Sequence, residues 1–204
     1  MKIFSRIRIA ASFAMAVLVS PVASAYEQGD WLVRVGAGNV DPKSDNGAIV
    51  SVDSGASLVF NGTYFFAPNL GVEVLAALPF SHDIKLAADG TKVGETKHLP
   101  PTFSLQYHFA TQSAFRPYVG AGLNYTLFFD EETTGPLSGL SLELDPSFGL
   151  AAQLGADVSI SDSMSVNFDV RWIDINTDAE LDGAALEEVE IDPIVYSLTF
   201  GWRF

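Results

Sequence analysis

Three histidines, His82, His98 and His108, have the widest chemical reach of any side chains in this sequence. Ser81 adjoins His82, and His98 closes the same polar stretch. A lipid-modifying hydrolase or acyltransferase would assemble a serine, a histidine and an acid from such a region. A triad is defined by geometry, however, and spacing alone does not make one. His108 falls inside a regularly alternating run and reads as a core residue. There is no His-Glu-x-x-His zinc pattern and no cysteine, which excludes disulfides, thiolate metal sites and cysteine nucleophiles. Gly36-Ala-Gly38 and Gly120-Ala-Gly122 lack the following helix that a nucleotide site requires. The chain is therefore expected to be no enzyme, with no cofactor and no metal centre.

The elements that carry these residues are set by a period of two. Ile194, Tyr196, Leu198, Phe200, Trp202 and Phe204 alternate with Val195, Ser197, Thr199, Gly201 and Arg203. In a strand the two sets point to opposite faces, one large and apolar, the other small or polar. The same alternation places His108 on the polar face of a strand with Thr102, Ser104 and Gln106, opposite Phe103, Leu105, Tyr107 and Phe109. It recurs from Val119 to Phe128, Phe148 to Val158 and Met164 to Trp172, and three earlier strands run over Trp31–Val40, Ser57–Phe66 and Leu70–Phe80. Eight strands, an even number, suit a closed single-chain membrane barrel whose apolar face meets lipid between aromatic girdles. The connections alternate long (41–56), short (67–69), long (81–100), short (111–115), long (130–143), short (161–162) and long (177–190). That rhythm distinguishes extracellular loops from periplasmic turns. The fold expected is all-β, a closed eight-stranded antiparallel up-and-down transmembrane β-barrel.

The N-terminus reads as a processing signal. Lys2, Arg6 and Arg8 precede an apolar run, Ile9 to Val19, and Ala23-Ser24-Ala25 is a small-x-small cleavage pattern. Residues 1–25 are thus expected to be a cleavable signal peptide and residues 26–204 the outer-membrane barrel. Those three bases are part of the 11 in the chain, which leaves eight against 25 acids beyond the signal. So acidic a chain is unsuited to nucleic acid, whose phosphates are neutralised by Lys and Arg.

Strand direction orders the inward residues by height. Low in the lumen lie Arg34, Glu73, Gln106, His108, Asn124, Asp157, Asn167, Asp169 and Arg203, with Arg171 near the boundary. High in it lie Val40, Val59, Leu75, Ala77, Phe128, Ile173, Ile175 and Val195. Buried charges require partners, so Arg34, Glu73, His108, Asp157, Asp169, Arg171 and Arg203 are expected to form a network closing the lower barrel. The apolar upper residues suit a small hydrophobic molecule entering from outside, which must then leave sideways through the wall. Leu99, Pro100 and Pro101 are the candidate lateral gate, since proline cannot donate to the ladder. The acids Asp130, Glu131, Glu132, Glu187, Glu188 and Glu190 fall in outer loops. Such runs are usually solvated, and carboxylates also suit divalent cations bridging to lipopolysaccharide.

Several stretches resemble the outer-membrane protein W family of Gram-negative bacteria. They are Trp31-Leu-Val-Arg34-Val-Gly36, Gly71-Val-Glu73-Val-Leu75-Ala-Ala-Leu-Pro79-Phe80-Ser-His82, His98-Leu-Pro-Pro-Thr102, Arg116-Pro-Tyr-Val-Gly-Ala-Gly-Leu-Asn124-Tyr125-Thr126, Asp192-Pro193 and Gly201-Trp202-Arg203-Phe204. The resemblance implies a barrel with a hydrophobic lumen, associated with passage of small hydrophobic molecules through the outer membrane. A structural or surface-interaction barrel without transport is the alternative. The partners expected are outer-membrane lipid and lipopolysaccharide, small hydrophobic molecules, and the barrel-assembly machinery acting on Phe204. A monomer is expected.

Overall fold

The computed structural model describes residues 25–44 and 46–204. The expected signal peptide lies outside the described residues except for Ala25. Within them, eight strands close on one another: β1 (Trp31–Asp41), β3 (Gly55–Ala67), β4 (Leu70–Ala77), β7 (Thr102–His108), β8 (Phe115–Thr133), β10 (Ser147–Ser159), β11 (Met164–Ile173) and β14 (Ile194–Arg203). Their order is β10-β11-β14-β1-β3-β4-β7-β8, and β8 pairs back with β10. All these ladders are antiparallel, and the seam that joins the chain ends runs from Leu32↔Arg203 to Asp41↔Ile194. Closure leaves no free edge among these strands, the condition for spanning a bilayer with a sheet. No helix of the described residues is long and apolar enough to cross a membrane.

The period of two sorts the faces as the alternation requires. Leu198 is 59% exposed and Phe148, Leu150, Leu154, Phe103 and Phe168 also point outward, whereas Ser197 and Thr199 are buried. Such an apolar outer band is the lipid-facing surface of a membrane barrel. Leu198 lies midway along β14. Leu198→Arg is expected to lower stability by about 2–4 kcal/mol, the cost of a cation near the bilayer midplane, read by urea unfolding in lipid vesicles.

Above the barrel the expected long loops are largely strands. β5 (Phe80–Leu86) and β6 (Lys92–Leu99) form a hairpin that pairs with the upper half of β8, and β2 (Val50–Val52) adds to β5. A second sheet has the order β13-β12-β9, from β9 (Leu142–Leu144), β12 (Asn176–Leu181) and β13 (Ala184–Glu190). Alternation continues here as Val50/Val52, Ile84/Leu86, Leu142/Leu144 and Ala179/Leu181. The opposite face meets water instead of lipid, so it carries Asp83, Lys85, Glu143 and Glu180 and the segments look like polar loops. The strand expected over Leu70–Phe80 ends at Ala77, and Phe80 begins β5. Pro79 lies between them and cannot supply a ladder donor. β8 also runs on to Thr133, past the expected start of a loop at 130.

Candidate functional site

The lower lumen is filled by side chains. Arg34 comes from β1, Glu73 from β4, Asp157 from β10, and Asp169 and Arg171 from β11, all inward positions of their strands. Arg34 grips Asp157 with two donors, Nε to Oδ1 at 3.0 Å and Nη2 to Oδ2 at 2.8 Å. This fork geometry gives the strongest and most directional of carboxylate contacts. Its Nη1 reaches Glu73 at 3.4 Å and the Thr63 hydroxyl at 3.3 Å. Arg171 donates through Nη2 to the other oxygen of Glu73 at 2.6 Å, lies 3.5 Å from Asp169 through Nε, and also reaches Gln153.

Two guanidiniums thus face three carboxylates, and neutral donors add a hydrogen bond to each carboxylate. Gln106 Nε2 donates to Glu73 at 2.7 Å, Tyr118 Oη to Asp169 at 3.0 Å, and Asn167 Nδ2 to Asp157 at 3.0 Å. His108 lies against this cluster, with Nε2 3.0 Å from Gln106 Oε1 and Nδ1 3.8 Å from Asp157. Arg203 stands apart from it. Its guanidinium is partly exposed at the lower rim and pairs with Asp30 at 3.0 Å. The last residue of a terminal strand reaches the mouth of the barrel and cannot reach its centre.

Sequence reasoning missed Tyr26, which lies outside every alternating run. The segment before β1 folds back beneath the barrel, where the Asn69 N–H donates to the Tyr26 carbonyl oxygen at 3.2 Å. The Tyr26 ring stacks on Phe65 at 4.3 Å and meets His108 edge-on at 4.9 Å, while its hydroxyl donates to Asp157 at 3.0 Å. Arg116 lies over the same ring at 5.4 Å. Tyr26 therefore stoppers the lower end of the ion network.

Above the network six of the eight upper-lumen residues, Val40, Val59, Leu75, Ile173, Ile175 and Val195, are buried together in one apolar cluster. Ala77 and Phe128 pack against it. These side chains fill the upper barrel. The open space sits higher, a cavity of about 50 Å³ roofed by the hairpins, and of the eight only Phe128 lines it. Its walls are Val50, Val52, Ile84, Val93, Leu142, Leu144, Ala179, Leu181, Val189 and Ile191, with His82, His98, Thr96, Thr177 and Glu187 as the main polar members. Continuing the alternation beyond the barrel would have found these residues. Ser81 is exposed on the opposite face of β5 from His82, so the two do not form a nucleophile–base pair.

The wall is interrupted between the β4–β7 and β5–β6 pairings. β4 and β7 pair up to Leu75↔Thr102, and β5 and β6 resume at Phe80↔His98. Between these positions stand Leu78-Pro79 on one side and Leu99-Pro100-Pro101 on the other, and no ladder pair joins them among the described residues. On their other flank these residues are held: Leu99 pairs with Leu127, and the Pro101 carbonyl accepts the Tyr125 N–H at 3.0 Å.

The sequence profile of the OmpW family matches residues 27–204. Outer membrane protein W of Vibrio cholerae is 42% identical over 209 residues, spanning 93% of this chain and 95% of that one. The counterpart in Escherichia coli K12 is 40% identical over 207 residues, spanning 95% and 97%. The crystal structure of OprG from Pseudomonas aeruginosa superposes with a TM-score of 0.78 at 36% identity, covering 88% of this chain and 97% of that one. Closed barrel, lipid-facing band and profile agree: this chain belongs to the OmpW family of outer-membrane β-barrel proteins.

Proposed function

We propose that this outer-membrane barrel admits small hydrophobic molecules through the upper cavity and releases them sideways into the membrane. The observation that carries the reading is the pairing of an apolar cavity with a break in the ladder, above a lumen closed by the apolar cluster and the ion network. A hydrophobic molecule gains by leaving water for the cavity. It cannot descend past Arg34, Glu73 and Asp157 without parting their buried ion pairs. The gap between Leu78-Pro79 and Leu99-Pro100-Pro101 has no backbone bonds to break, which makes it the cheapest exit to lipid. At about 50 Å³ the cavity is far below the roughly 300–1,000 Å³ of drug-sized sites, so loading requires the roofing hairpins to part.

The test is uptake of an uncharged fluorescent hydrophobic dye into cells with and without the protein. Ala179→Glu, which places a carboxylate in the cavity wall, is expected to reduce protein-dependent uptake about tenfold by the cost of burying charge. The chain has no cysteine, so Ala77→Cys with Leu99→Cys, bridged by a flexible bis-maleimide, closes the gap selectively. Loss of uptake on bridging supports lateral exit; uptake unaffected by the bridge but lost in Ala179→Glu removes lateral exit and keeps the cavity. Uptake independent of the protein for a panel of such compounds removes transport. The folded roof itself favours what then remains, a surface-interaction barrel whose outer strands contact lipopolysaccharide or other partners.

A further inference from the structure

His82 and His98 are polar side chains in a largely apolar wall, and the apolar reading of the cavity does not use them. The two are inward positions of neighbouring strands, near the registers Phe80↔His98 and His82↔Thr96. They stack at 4.7 Å with planes 20° apart, and Phe80 stacks on the far side of His98 at 5.4 Å. His82 is 2% and His98 3% exposed, and both line the cavity. The Nε2 atom of each is buried without a hydrogen-bond partner. A buried polar nitrogen left unpaired is a standing cost that a suitable ligand removes.

The tautomer of His82 is set by its other nitrogen. Nδ1 lies 2.6 Å from the Asp53 carbonyl oxygen, which only accepts, so Nδ1 carries the proton and Nε2 is a bare acceptor. Burial lowers the pKa of His82, and burial with the neighbouring His82 takes His98 down to about 3. Both rings are therefore uncharged at neutral pH. Gly55 packs against this ring, where a Cβ would come 2.6 Å from the Ser81 carbonyl oxygen, 2.8 Å from His82 Cε1 and 3.1 Å from His82 Nε2. A hydrocarbon cannot use this acceptor. An anion would meet a lone pair and the Glu187 carboxylate, which is fixed by the N–H groups of Ala48 and Ile49, each at 2.9 Å.

We infer that the cavity selects uncharged apolar molecules bearing a hydroxyl, such as alkanols or phenols, with His82 Nε2 accepting the hydroxyl proton beside the stacked His98. The inference rests on the cavity reading above and adds the chemical class. The test uses the full protein in phospholipid nanodiscs, labelled with 15N-histidine, titrated with 1-hexanol and with n-heptane, which have equal numbers of heavy atoms. Hexanol is expected to move the His82 Nε2 resonance and to bind about tenfold more tightly than heptane, the worth of one buried hydrogen bond.

His82→Phe is expected to abolish the preference for hexanol over heptane, and His82→Gln, which restores an acceptor, to recover part of it. Should His82→Phe not fold, His98→Phe and the wild-type resonance shift carry the test, because His98→Phe leaves the His82 acceptor and its shift in place. Equal binding of the two probes, or a preference that survives in His82→Phe, overturns the hydroxyl inference and leaves the cavity reading standing. If neither probe perturbs the resonances of the cavity histidines, both readings fall.

Discussion

Arg34→Leu is expected to destabilise the folded barrel by about 3–5 kcal/mol, because it strips a buried pair of one partner and strands the other. Arg34 is fully buried and is the only bidentate partner of Asp157 among the described residues. Its removal leaves Asp157 with Tyr26, Asn167 and the more distant His108, and leaves Glu73 with Arg171 and Gln106. One guanidinium would then face three carboxylates in a site sealed from water. The checking measurement is urea unfolding in lipid vesicles, followed by tryptophan fluorescence. Combining Arg34→Leu with Asp157→Asn should recover a large part of the loss, since the orphaned charge is then gone. A double variant as unstable as the single one would mean that packing of the Arg34 stem, and not its charge, is what the site needs.

Gly36→Val is expected to prevent barrel closure. Gly36 lies in the seam between the first and last strands, at the register Gly36↔Thr199. A Cβ built there would fall inside the van der Waals shell of the Leu198 carbonyl oxygen and 2.6 Å from the Thr199 Cα. Both are backbone atoms of β14 and cannot swing aside as a side chain would. The cost therefore exceeds the roughly 1–3 kcal/mol of ordinary overpacking, and relief requires the two strands to separate where closure is made. The check is heat-modifiable gel migration after refolding into vesicles, where most of the variant should run as unfolded chain. A Gly62→Ala control, at a position where an added Cβ meets nothing within 4 Å, should fold normally. Folding of Gly36→Val at the wild-type yield would mean that the seam can move.

The sequence by itself determined the barrel and the direction in which each spanning side chain points. Lipid outside and a lumen inside impose a period of two, and that pattern is local, legible in runs such as Tyr196 to Trp202. It also located Arg34, Glu73, Asp157 and Asp169 at inward positions low in the lumen, with Arg171 near the boundary. Tertiary structure decided which of them meet. Arg203, with the right parity, lies at the rim because its strand ends there, and Tyr26, with no pattern to mark it, lies under the centre because the chain folds back.

The cavity was the least legible feature. Apart from Phe128 of β8, its strand-borne walls come from β2, β5, β6, β9, β12 and β13, whose outer faces meet water and so carry charge, which made them read as loops. The residues expected to receive a ligand instead pack against one another beneath it. Likewise His82 and His98 are separated by a turn in sequence and stacked only because β5 pairs with β6 in that register. Facing is fixed by neighbours along the chain, whereas enclosure depends on which distant strands close over the same space.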